Sequence, residues 1–95
     1  MTTSMSNRFV SSVMDNPLTV EHAGRTLVLR RTNAVSSWAG LKQTADLEIV
    51  ENEKVVAYIT PYGDDERGFI HANFFGKTMP VIKRTLEEGL QNLFG

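Results

Sequence analysis

The sequence predicts an α+β domain: a small antiparallel sheet of about five strands, in the order α-β-β-β-β-β-α, with a short N-terminal helix and a C-terminal amphipathic helix packed on one face. Three observations carry this. Between Ala45 and Phe75 lie three short runs rich in β-branched and aromatic residues, separated by turn chemistry. Leu18 to Arg31 reads as a hairpin about Gly24. Beyond position 78, Met79, Ile82, Leu86, Leu90 and Leu93 recur at helical spacing. A small β-barrel with flanking helices is the alternative, because five short strands can also curl and close.

Residues 1–7 are small and polar, and the expectation is a frayed end. From Arg8, the positions of Phe9, Val10, Val13 and Met14 share one side of a short helix. Asn16-Pro17 ends it, since the residue before proline is pushed out of the α region. In the hairpin after it, Leu18 and Val20 share a face with Leu27 and Leu29, and Gly24 supplies the positive φ of a tight turn. Residues 33–43 break the strand pattern and read as a loop or a single helical turn.

The first run of the central meander alternates, with Ala45, Leu47 and Ile49 against Asp46 and Glu48, as a strand with one wet face should. The second, Val55 to Ile59, is apolar on both parities and belongs in the middle of the sheet. The third runs from Phe69 to Phe75. Thr78 then reads as the cap of the last helix, with Pro80 in its first turn, where a missing N–H is harmless.

The whole chain, 1–95, is one domain, because 95 residues support a single modest core. Lys and Arg number 10 against 11 Asp and Glu, so no global charge draws the chain to nucleic acid or to an anionic membrane. The absence of cysteine excludes disulfides, thiolate zinc sites and thiol catalysis, and fits a reducing, cytoplasmic location. No apolar run approaches a membrane span or the core of a secretory signal.

Chemistry-bearing patterns are sparse. Gly76-Lys77-Thr78 has the form of the end of a phosphate-binding loop, between a strand and a predicted helix whose N–H groups can meet an anion. His71 stands where the first glycine of that loop belongs, which leaves a looser anion or nucleotide site at Lys77 and Thr78. Arg25, Arg30 and Arg31 are basic, but neighbouring strand residues point to opposite faces, so they do not form one patch and read as solvated strand ends. His22 and His71 have no metal-binding spacing, and no serine nucleophile motif occurs. No metal, cofactor or catalytic residue is expected, and the chain reads as non-enzymatic. Consecutive acids at Asp64, Asp65 and Glu66 read as a solvated turn.

The segment Arg67-Gly68-Phe69-Ile70-His71-Ala72-Asn73-Phe74 resembles the strand signature of RNA-recognition-motif domains at its Arg, Gly and two of its aromatic positions, with His71 at the other aromatic position. The resemblance implies base stacking by Phe69 and His71 beside Arg67. That family's order of helices and strands differs from the one predicted here, so the plainer expectation is a core strand with buried phenylalanines. Trp38, alone in a Ser- and Gly-flanked segment, is either a plug on the core's edge or an anchor for a partner.

By elimination the leading expectation is a protein-binding module: a small stand-alone accessory or inhibitor protein, of the kind phages and other mobile elements carry. It would dock onto a larger protein through Trp38, Arg30, Arg31, Tyr62 and Arg67, or pair with its own copy. Nucleic-acid binding through Arg67, Phe69 and His71 is the second expectation, and anion binding at Lys77 and Thr78 the third.

Overall fold

The computed structural model describes residues 2–33, 35–38, 41–64, 69–76 and 80–95. Helix α1 (Asn7–Asp15) is followed by the hairpin β1 (Leu18–His22) and β2 (Arg25–Arg31). A short ribbon, β3 (Val35–Trp38) and β4 (Leu41–Thr44), comes next. Then come β5 (Leu47–Glu51), β6 (Lys54–Asp64), β7 (Phe69–Phe75), β8 (Val81–Lys83) and α2 (Leu86–Phe94). The main sheet is antiparallel with order β1-β2-β5-β6-β7-β8, and it curls into a half-barrel. Its outer strands do not pair with each other, so the fold is α+β and the sheet stays open.

Local sequence explains each element. Ser6 caps α1 by accepting the Phe9 N–H at 3.0 Å, and Val10 and Val13 are buried on the face that meets the sheet. Asn16 takes an extended conformation and stops the helix before Pro17. In the first hairpin Leu18 lies opposite Leu29 and Val20 opposite Leu27, so the four share a face, as expected. Its two-residue turn puts both Ala23 and Gly24 at positive φ, 49° and 80°, the mirror-image turn whose twist suits two strands. Asn52 and Glu53 turn the β5–β6 hairpin in the same way, at 51° and 66°.

β6 lies between β5 and β7, as its apolar run requires. Pairing shifts from Ile49 opposite Ala57 to Val50 opposite Val55, so Val56 is the extra residue of a bulge that bends the strand. β5 reaches only as far as Ile59 along β6, which leaves Pro61 facing β7 alone. A proline is tolerated there because one side of the strand needs no ladder donor.

The core fills one face. Leu27, Leu29, Leu47, Ile49, Ile59 and Phe74 point inward from the sheet, and Val10, Val13, Leu86 and Leu90 cover them from the two helices. Helix α1 lies against β2 and β5, and α2 against β7 and β8. Each such side chain, fully buried, contributes roughly 1.5–3 kcal/mol.

The chain departs from the sequence-based expectations at three places. Beyond the five expected strands there are β8 and the β3–β4 ribbon, the latter in place of the expected loop or helical turn. The last helix begins at Leu86 with Thr85 as its cap, so Ile82 and Lys83 belong to a strand, and Ile82 is exposed. The β-branched pair Val81-Ile82 extends along the edge of β7, which wins over the helical spacing. The N-terminal segment is not frayed: Met5 is wholly buried and donates its N–H to Arg84 O at 2.9 Å. Thr3 N–H meets the Glu87 carboxylate, Leu86 N–H reaches Thr3 O at 2.9 Å, and Ser4 bridges to Thr85.

Candidate functional site

β3 and β4 form a sheet of their own, which among the described residues joins no strand of the half-barrel, and each makes its main tertiary contacts with the other. Trp38 lies opposite Leu41 and Ser36 opposite Gln43. Val35 lies opposite Thr44 and Ser37 opposite Lys42, and Val35 is exposed. Only two residues, Ala39 and Gly40, separate Trp38 from Leu41. The same Ala-Gly pair closes the first hairpin at Ala23-Gly24, and that repetition is the signal in the sequence that could have revealed the second.

The ribbon is an excursion from a simpler hairpin. β2 and β5 pair directly from Val28 opposite Val50 to Arg31 opposite Leu47. Just beyond, Thr32 N–H donates to Asp46 O at 3.1 Å, which brings the two ends of the excursion side by side. The ladder of the main sheet is therefore complete without residues 34–44.

The arginines are differently disposed. Arg30 and Arg31 point to opposite faces, as expected, opposite Glu48 and Leu47 respectively. Arg30 Nε donates to Glu48 Oε2 at 2.6 Å, and Glu48 is buried on the outer face of the sheet. Arg30, Glu48, Tyr58 and Phe75 form one continuous row across β2, β5, β6 and β7, with the Tyr58 and Phe75 rings stacked at 5.6 Å. Arg31 is exposed at the strand end.

Arg25 is not a solvated strand end. Its Nε and Nη2 reach the two carboxylate oxygens of Glu51 at 2.8 and 2.5 Å, and its guanidinium lies 4.4 Å from the centre of the Phe94 ring. The hydrogen bond from Arg25, and then its charge, hold the Glu51 carboxyl below the usual range against the opposing effect of desolvation. The same pairing raises Arg25. This cluster ties the first hairpin to the β5–β6 turn and to the end of α2.

Of the residues expected to stack bases, His71 lies on the outer face of β7 opposite Tyr62, and the Phe69 backbone pairs with that of Asp64. Arg67 lies outside the described residues, and the side chains of Tyr62, Phe69 and Trp38 do too. The other acids of the Asp64-Asp65-Glu66 turn are likewise outside them. The two histidines do not meet: His22 ends β1 on the inner face, and His71 is on the outer face of β7, with β2, β5 and β6 between.

Lys77 and Thr78 also lie outside the described residues, but the context expected for them is corrected. Among the described residues the next element after Gly76 is β8, and α2 begins at Leu86 with Thr85 as its cap, so the last helix does not start at Thr78. Among the described residues no group of three or more His, Asp or Glu side chains is placed to hold a metal ion. No described helix is long and apolar enough to cross a membrane. No protein-family model, curated protein or solved structure matches the chain.

Proposed function

We propose that the protein is a non-catalytic, cytoplasmic binding module that docks onto a larger protein through its β3–β4 ribbon. The supporting observation is the closed base of that ribbon: the β2–β5 ladder and the Thr32–Asp46 hydrogen bond complete the sheet without it. A two-stranded ribbon is marginal in water on its own and gains stability by packing against a further surface. Ordering these residues costs conformational entropy that the main sheet does not require to be spent. A partner that packs on the ribbon where Trp38 pairs with Leu41 would offset that cost and gain a tryptophan anchor, the residue type that most often dominates protein interfaces. Arg31, exposed near the base of the ribbon, supplies a polar contact at the rim.

The test is affinity capture from the native host, followed by titration of the purified captured protein against wild type and Trp38→Ala. The variant should keep its far-UV circular dichroism and bind at least about tenfold more weakly, which corresponds to about 1.4 kcal/mol. Equal affinity of the folded variant would remove Trp38 from the interface. A captured ligand that proves to be nucleic acid, released steeply by salt, would replace the reading with the nucleic-acid one.

A further inference from the structure

We infer that β1 is a self-pairing edge, through which two copies of the chain join their half-barrels into one antiparallel sheet about a two-fold axis at Val20. The inference is independent of the ribbon. The sheet has two edges, and they differ. β8 is three residues long, and the bridge between Ser4 and Thr85 occupies the chain just after it. β1 is five residues long and contains no lysine, proline or bulge; its one charged edge residue, Glu21, is held by the Thr26 hydroxyl across the hairpin.

The turn geometry fixes which groups face outward. His22 and Arg25 flank the two-residue turn and form its closing hydrogen-bonded pair, so Val20 with Leu27 and Leu18 with Leu29 are hydrogen-bonded pairs too. The N–H and C=O groups of Thr19 and Glu21 therefore point away from β2. Both residues are exposed, and among the described residues neither backbone has a hydrogen bond outside the hairpin.

One register satisfies these groups. With Val20 opposite Val20 of a second copy, Thr19 meets Glu21 of that copy, and every outward N–H finds an outward C=O. Shifting the axis to Thr19 sets Pro17, which has no N–H, against Glu21. Shifting it to Glu21 places two carboxylates directly opposite, a destabilising pair.

Side chains agree with the central register. Glu21 already accepts from the Thr26 hydroxyl across the hairpin at 2.9 Å, and Thr19 of the second copy would present the same hydroxyl from its other side. On the inner face half-buried Val20 meets Val20 of the second copy, and Leu18, 36% exposed, lies opposite His22 of that copy. The arrangement is isologous, as a closed two-fold dimer requires.

Sedimentation equilibrium of the intact chain should give about twice its 10.6 kDa mass. Thr19→Pro removes an N–H that the hairpin does not use, and proline is tolerated on an edge strand, so this variant should stay folded and sediment as a monomer. Because the chain has no cysteine, Val20→Cys reports directly: under mild oxidation it should form a disulfide-linked dimer across the axis. A monomeric wild type, a folded Thr19→Pro that remains dimeric, or a folded Val20→Cys that does not cross-link would each overturn the inference. If Thr19→Pro fails to fold, the Val20→Cys result decides.

Discussion

Arg25 shows what a single residue contributes once the register of distant strands is set. Its partner Glu51 is 26 positions away and comes within reach only because β1–β2 and β5–β6 turn side by side. Nothing local in Arg25-Thr26-Leu27 announces that partner, so short-range rules give only a solvated strand end there. Glu51 has a folded-state pKa below its unfolded value, so its contribution to stability is present at neutral pH. That contribution is lost as pH falls below about 4 and through the lowered value. Arg25, already charged and raised further, stays charged throughout this range. Glu51→Gln should therefore unfold at lower urea than wild type at pH 7, with the gap closing as the solution is acidified. A gap that does not change with pH would mean that the ion pair is not its source.

At the scale of elements, the two helices differ in how much of them the sequence reveals. α1 is legible in its apolar stripe and its Asn-Pro stop, while its Ser6 cap falls in the segment expected to fray. The start of α2 is not, since Met79 and Ile82 fit the helical spacing and Pro80 fits a first turn. A competing signal is present: Thr85 and Glu88 have the spacing of a capping box, and the Thr85 hydroxyl accepts the Glu88 N–H at 3.2 Å and donates to the Glu88 carboxylate at 2.8 Å. Pairing of Val81-Ile82-Lys83 with β7 decides between the two, and no short-range rule reports it.

Gly89 is a point of close approach between α2 and the sheet. A Cβ there would sit 2.3 Å from the Phe74 ring, itself wholly buried between sheet and helix. Gly89→Ala gains about 1 kcal/mol of helix propensity, but forcing the ring or the helix aside costs of the order of 1–3 kcal/mol. With so deep an overlap the upper part of that range applies, and the net effect should be a loss of about 1–2 kcal/mol in urea unfolding. Stabilisation by this substitution would show that α2 can lift from Phe74 without penalty.

For the molecule as a whole, the class, the apolar face and most of the ladder are legible in the sequence. The shared face of Leu18 and Val20 with Leu27 and Leu29, the central place of β6 and the covering of one face by both helices all come from period and turn chemistry. The illegible parts lie where pairing is non-local or a motif is brief: the three-residue β8, the N-terminal segment bridged to Thr85, and the ribbon. The ribbon's strands are four residues each, too short for alternation to speak, and only the repeated Ala-Gly hints at them. These elements divide the chain into a core, made by the helices and the six-stranded sheet, and an excursion that the core's ladder does not need.

The thermal unfolding midpoint of a chain in which residues 34–44 are replaced by two glycines tests that division most directly. With Thr32 and Asp46 left in place to close the hairpin, the shortened chain should fold cooperatively, with a midpoint within about 5 °C of the intact protein. A shortened chain that fails to fold, or melts tens of degrees lower, would make the ribbon part of the core and contradict its role as a docking element.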